Sequence, residues 1–361
     1  MDNQKYEIYK NIMSDSPTID KGYLRNILQL SENENVNSVE ITGVAESNTA
    51  LVIKASVQIQ SPSGSQEKKL FIKTMKRNDA ENAYHNISMK EGKFYKCVKK
   101  NAINNLPIPY CYDVFLSEEK GEFVIVLDDI SNRYAPADNA MLTDKAIWFS
   151  CAESLAQFHA AFWNREIIPS KRAGAEHDDQ ADRECVQSFL NDFKNQFDGR
   201  IKKILTQAME INIALIKDAA RRINGRDNVT ICNGDSHIGN FMLPKRKTDF
   251  PLMIDFQFWG EGVGTGDLAH LTRDRFPGEL KREIQLSLVE RYHQSLLSLG
   301  ITDYPLEKCL EDYRTGVASM ALIPLWQYSG FGLKYDDWID DLRIYVDNFE
   351  YMQCGELCRA L

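Results

Sequence analysis

Residues 229–271 read VTICNGDSHIGNFMLPKRKTDFPLMIDFQFWGEGVGTGDLAHL, and the placing of acids in this stretch decides the fold. Two short apolar runs, Val229 to Cys232 and Leu252 to Ile254, have the character of buried strands. Each delivers a carboxylate at its C-terminal side, Asp235 shortly after the first and Asp255 directly after the second. Phe241 to Leu243 and Leu252 to Ile254 can pair as a hairpin across the polar turn 244–251, which is expected to set Asn240 opposite Asp255. An amide and a carboxylate are hard oxygen ligands suited to Mg²⁺, which takes one or two protein groups and otherwise keeps water and phosphate oxygens. Asp235 is left beside that pair to accept a proton.

The run Asp235, Asn240, Asp255 resembles the D-x-x-x-x-N catalytic loop and later metal-binding Asp of kinase-type phosphoryl transfer. More narrowly, it is similar to the aminoglycoside phosphotransferase and choline kinase superfamily, whose pattern is H-G-D-x-x-x-x-N followed by a strand ending I-D-[FW]. Within that superfamily it looks like the ecdysteroid-kinase-like branch. The resemblance covers roughly Val39 to Leu271 and implies an α+β, bilobal, protein-kinase-like fold. Residues 1–129 would form an N-terminal helix plus a nucleotide-binding lobe with a five-stranded antiparallel sheet and one key helix. Residues 130–361 would form a mainly helical lobe carrying the catalytic loop and substrate pocket.

Several further positions match by the same resemblance. Asp267, in the triplet Asp267-Leu268-Ala269, matches a position that holds the catalytic loop, and Leu155 to Trp163 (LAQFHAAFW) matches a signature helix in which His159 is a structural histidine. His237 fits a G-D-x-H-x-G-N variant and is expected to scaffold the loop, the transferred phosphate being its other conceivable contact. Asn233 departs from the pattern, since histidine usually precedes Gly234. Asn can make two-sided hydrogen bonds, but the departure keeps a degenerate nucleotide-binding pseudokinase or scaffold as the alternative reading.

The N-terminal third supplies the other half of the chemistry. Thr18 to Leu30 carries apolar residues at helical spacing, whereas Ile53, Ala55, Val57 and Ile59 alternate with polar residues as in a half-exposed strand. A second strand, Lys69 to Lys73, ends in a lysine. The helix expected from about 79 to 99 places Glu91 in an otherwise apolar stripe with Tyr84, Ile87, Phe94 and Val98. A carboxylate aimed at a core is costly unless paired, so the pattern calls for a cation from the adjoining sheet, and Lys73 is the nearest in topology. The pair resembles the lysine and glutamate that anchor the ATP phosphates in kinase folds. Ser47, Asn48 and Thr49 lie in the turn expected to fold over those phosphates. Leu106 to Leu116 and Glu122 to Leu127 read as the last hairpin of the sheet, and Asp128, Asp129 and Ile130 resemble the hinge that receives adenine.

Composition narrows the remaining classes. A net charge of -9 argues against a general nucleic-acid binder, because a polyanion needs clustered Lys and Arg. The N-terminus has no apolar signal core and no run approaches a membrane span, so a cytoplasmic protein without membrane contact is expected. Eight scattered cysteines include no C-x-x-C pair and read as reduced structural thiols. The Gly260 to Gly266 run does not fit G-x-G-x-x-G and reads as a mobile loop lining the site. Trp338, Leu342, Tyr345 and Phe349 read as the inward face of an amphipathic helix whose aspartates are solvated. The reading is thus an ATP- and Mg²⁺-dependent kinase for a hydroxyl of a small molecule, an aminoglycoside-, choline- or steroid-like alcohol.

Overall fold

A computed structural model of the chain describes residues 3–46, 50–75, 83–167, 177–246, 249–273 and 278–359. Two compact units divide it: Met1–Ala135 with Pro244–Arg246 and Ile254–Trp259, and Pro136–Leu243 with Lys247–Met253 and Gly260–Leu361.

The first unit runs α1 (Asn3–Ile12), α2 (Lys21–Ile27), β1 (Asn35–Glu46), β2 (Leu51–Ser61), β3 (Gly64–Thr74), α3 (Ala83–Lys100), β4 (Cys111–Ser117) and β5 (Glu122–Asp128). Its five strands form an antiparallel sheet in the order β1-β2-β3-β5-β4. The alternation in β2 is realised, with Ile53, Ala55, Val57 and Ile59 buried and Lys54 and Gln60 exposed. Ser56 departs from it: the side chain is buried, and its hydroxyl donates to Glu67 Oε1 at 2.7 Å. Strand β4 starts at Cys111 rather than Leu106, because Pro107 and Pro109 have no N–H to give a ladder.

Helix α1 has no counterpart in the sequence reading, and α2 is shorter than expected. Asp20 caps α2, accepting from the Tyr23 amide at 2.7 Å. Both helices are fastened to the sheet. Tyr9 stacks on Phe115 with ring centroids 4.3 Å apart, and the Tyr9 and Tyr23 hydroxyls both donate to Asp113 Oδ2, at 2.7 and 3.0 Å. Ile12 and Leu24 join Ile53, Val57, Leu70 and Val126 in one apolar cluster, each contributing about 1.5–3 kcal/mol by leaving water.

After the three-residue β6 (Tyr134–Pro136), the chain continues through α4 (Lys145–Phe162), α5 (Asp179–Asp192), α6 (Gly199–Gly225), β7 (Thr230–Cys232), β8 (Phe241–Pro244), β9 (Leu252–Met253) and β10 (Gly260–Gly262). It ends with α7 (Thr265–Leu271), α8 (Gly278–Ser298), α9 (Leu306–Met320), α10 (Ile323–Phe331) and α11 (Tyr335–Tyr351). Helix α5 starts at Asp179, because Asp178 accepts from the amides of Gln180 and Ala181. The glycine run is not a loop. Gly260 and Gly262 pair antiparallel with Cys232 and Thr230, so the run forms β10, and α7 begins at Thr265. Strands β8 and β9 form the expected hairpin, but Phe241 faces Met253 and Met242 faces Leu252. That register is one residue out of step with an opposition of Asn240 and Asp255. In α11, Trp338, Leu342, Tyr345 and Phe349 are buried while Asp336, Asp337 and Asp340 are exposed. Among the described residues no helix is long and apolar enough to cross a membrane, and all eight cysteines are free thiols.

Candidate active site

In the first unit the sheet and α3 bring Lys73 and Glu91 together. Lys73 lies near the end of β3, and its Nζ is 2.6 Å from Oε2 of Glu91, which is only 2 % exposed. Burial works against the ammonium charge, but Glu91 and then Asp255 outweigh it and hold the Lys73 pKa above the usual lysine range. Burial pushes the Glu91 carboxyl upward against the pull of Lys73. The segment after Asp255 is clamped on α3: Phe256 stacks on Phe94 with centroids 3.8 Å apart, and Trp259 Nε1 donates to the Lys90 carbonyl at 2.7 Å. Asp255 itself has φ +60°, a left-handed conformation that Asp tolerates better than most residues and that a folded site holds in place.

The hinge positions are engaged within this unit. The amides of Asp128 and Asp129 donate to the carbonyls of Tyr110 and Lys69, at 2.9 and 3.1 Å. The Asp128 carboxylate takes Lys68 at 2.9 Å and also Arg133, while Asp129 Oδ1 accepts from the Ser131 amide and Ile130 is buried. Ser47, Asn48 and Thr49 lie outside the described residues.

In the second unit Asp267 organises the loop that carries Asp235. From the first turn of α7, its buried carboxylate accepts the Asn233 amide at 2.6 Å and the Gly234 amide at 2.9 Å, with His159 Nε2 at 3.1 Å. Ser236 Oγ donates to the Asp267 carbonyl at 2.7 Å. Burial would raise the Asp267 carboxyl, but His159 and the two amides prevail and hold it below the usual carboxylate range. His159 is itself fully buried: the Tyr292 hydroxyl lies 2.9 Å from Nδ1, and Thr230 Oγ1 donates to the His159 carbonyl at 2.7 Å. Gly264 is required where these groups crowd together. A Cβ there would stand 2.5 Å from the Tyr292 oxygen and 2.8 Å from His159 Nδ1.

Within the loop, Asn233 Oδ1 accepts from the Asp235 amide at 3.1 Å, and Gly234 adopts φ +82°. His237 caps a short 3₁₀ turn, its Nδ1 accepting from the Gly239 amide at 3.1 Å. Asn240 Nδ2 donates to the Asp235 carbonyl at 2.7 Å, an interaction that does not use its amide oxygen. An amide oxygen such as that of Asn240 and a carboxylate such as that of Asp255 are each hard-oxygen donors of the kind Mg²⁺ prefers. Among the described residues His159, Cys232 and Asp267 also bring donor atoms within 4.8 Å of one another, but the His159 and Asp267 atoms already serve the loop's hydrogen bonds.

Two residues at the site went unread in the sequence. Arg273 Nη1 lies 3.2 Å from Asp235 Oδ1, and His270 Nδ1 lies 3.8 Å from the same oxygen. The spacing Asp267, His270, Arg273 in steps of three was the available signal, although α7 ends at Leu271 and Arg273 follows its C-cap.

The depressed Asp267 carboxyl has a consequence for acid stability. Its contribution is fully present above the unfolded carboxylate range near pH 4 and is lost as pH falls through the lower folded value. Denaturant titrations are expected to show stability dropping below about pH 4, and Asp267→Asn to flatten that acid limb. An unchanged limb in Asp267→Asn would assign the loss to other groups.

The sequence profile of the ecdysteroid kinase-like family matches residues 45–300. Among solved structures, the chain is similar to a protein assigned as an aminoglycoside phosphotransferase from Ralstonia eutropha, at 12% identity, covering 92% of this chain and 98% of that one, with a TM-score of 0.54. It also matches choline kinases of Cryptosporidium parvum (13% identity, 94% and 95% covered, TM-score 0.49) and Streptococcus pneumoniae (14%, 91% and 97%, 0.47). No curated protein matches. The fold is therefore kinase-like, an antiparallel five-stranded sheet with a helical C-terminal part.

Proposed function

This chain belongs to the ecdysteroid kinase-like family, and from that premise we propose that it transfers the γ-phosphoryl group of ATP to a hydroxyl of a small molecule, an aminoglycoside-, choline- or steroid-like alcohol. The observation that carries the reading is the buried Lys73–Glu91 pair with Asp255 acting on the same lysine. Burying an ion pair contributes little to stability, so its persistence is best explained by a task for the lysine charge.

Phosphoryl transfer has a loose transition state with charge spread over the transferred oxygens, so a protein mainly positions reactants and neutralises charge. Lys73 anchors the nucleotide phosphates, and Glu91 fixes where the lysine stands. The segment Asp128 to Ile130 receives the adenine through its carbonyls, since two of its amides already donate inside the sheet. Asn240, through its amide oxygen, and Asp255, through its carboxylate, would each serve as a ligand to Mg²⁺, which would supply neutralisation of charge on the phosphates. Asp235 orients the acceptor hydroxyl and takes its proton. Asn233 weighs against a degenerate, non-catalytic reading, because its side chain caps the Asp235 amide and Asp267 grips its own.

Calorimetric titration with MgATP tests the nucleotide half. The wild-type chain is expected to bind, and Lys73→Met to bind about 10- to 100-fold more weakly, the worth of a charge-assisted hydrogen bond. Equal affinity in the two proteins would remove Lys73 from the nucleotide site.

A further inference from the structure

The Asp235 carboxylate is flanked on both oxygens. Arg273 Nη1 stands 3.2 Å and His270 Nδ1 3.8 Å from Oδ1, while His237 Nε2 stands 3.7 Å from Oδ2. The hydrogen bonds assign both imidazoles. The Gly239 amide donates to His237 Nδ1, so that ring carries its proton on Nε2, towards Asp235. Arg273 Nη1 donates to His270 Nδ1 at 3.2 Å, so the second ring also presents a bare Nδ1. Arg273 thus brings a full positive charge to Asp235, and its side chain, 14% exposed, is held by the protein rather than by solvent. Lys281 Nζ donates to the Arg273 carbonyl at 3.2 Å and fastens the backbone behind it.

We propose that Arg273 is a catalytic residue of the phosphoryl transfer, contacting the transferred group in the transition state. The proposal rests on the phosphotransferase reading. A hydroxyl bonded to Asp235 lies about 2.7 Å from the carboxylate, and the phosphorus it attacks about 3–3.5 Å further on. An arginine already touching that carboxylate therefore reaches the transferred oxygens. In the step, the acceptor oxygen bonds to the γ-phosphorus, the bond from that phosphorus to the β,γ-bridging oxygen breaks with its electron pair leaving on ADP, and the hydroxyl proton passes to Asp235. Protonation removes the charge that Arg273 faces in the ground state and frees the guanidinium for the equatorial oxygens, over which the charge of the transferred group is spread. The guanidinium thus interacts more strongly in the transition state than before it, which is what lowers a barrier.

The test uses the full chain with MgADP, with and without aluminium fluoride, a mimic of the flat phosphoryl group, and follows basal ATP hydrolysis with water as acceptor. Arg273→Ala and Arg273→Lys are expected to bind MgADP like wild type but to lose about 10²–10³-fold of the tightening by fluoroaluminate and of the turnover. Added guanidinium ion is expected to restore part of the Arg273→Ala rate. Variants that keep both the tightening and the turnover overturn the proposal. Variants that lose MgADP affinity as well, without guanidinium rescue, overturn it in favour of a structural arginine. A wild-type chain that binds no MgADP fails one level earlier, overturning the phosphotransferase reading and the role of Arg273 with it.

Discussion

Asp235→Asn is expected to lower phosphoryl transfer about 10²–10⁴-fold, the usual worth of a general base, while MgATP affinity stays unchanged. Asparagine has nearly the same volume and keeps a hydrogen-bonding oxygen, so the hydroxyl can still be oriented but its proton has no acceptor. The loop should persist, because it is held through backbone groups: Asp267 grips the Asn233 and Gly234 amides, and Asn240 binds the carbonyl at position 235. Lys73, Glu91 and Asp255 are untouched by the change. Steady-state kinetics should place the loss in kcat with KM for ATP preserved, and equal losses in binding and turnover would mean that the substitution had disturbed the fold.

The second large effect concerns stability. Asp312→Ala is expected to cost about 3–5 kcal/mol, because removing one partner of a buried ion pair strands the other charge. Arg222 is 1% exposed, and its Nη1 lies 2.8 Å from Asp312 Oδ2, which also accepts from the Tyr304 hydroxyl at 2.8 Å. Burial works against the guanidinium charge, yet Asp312 more than compensates and raises its pKa. The same guanidinium donates from Nε and Nη2 to the carbonyls of Asp227 and Asn228, at 3.0 and 2.9 Å, immediately ahead of the strand leading to Asp235. Loss of Asp312 should therefore loosen the entry to the loop that carries Asp235 as well as the join between α6 and α9. Urea unfolding checks the magnitude. The double substitution Arg222→Met with Asp312→Leu is expected to recover only part of the loss, since an apolar pair leaves no stranded charge but removes the bonds to the Asp227 and Asn228 carbonyls and from the Tyr304 hydroxyl.

The parts legible in the sequence were those governed by short-range periodicity. The alternation of β2 and the misfit Glu91 on an apolar stripe pointed to a sheet and to a lysine partner, and Lys73 stands 2.6 Å from that glutamate. The hairpin of β8 and β9 was also legible, but its register was not: the pairing of Phe241 with Met253 differs by one residue from the one expected. Strand β10 escaped because three residues with two glycines carry no strand propensity, and its pairing with β7 supplies the order instead. Helix α1 escaped because Tyr9 is fastened by Asp113, a partner far along the chain that no local pattern announces. Arg273 escaped because it falls two residues beyond the segment whose motif drew attention, and its meaning appears only when α7 turns it onto Asp235.

The most direct measurement is a mass-spectrometric screen in which wild-type and Asp235→Asn chains are each incubated with MgATP and a pool of small hydroxyl compounds. Phosphotransferase activity predicts at least one compound that gains a phosphoryl group with the wild-type chain and fails to gain it with Asp235→Asn. A wild-type chain that binds MgATP yet phosphorylates nothing in a broad pool, or a product formed equally well by Asp235→Asn, would contradict it.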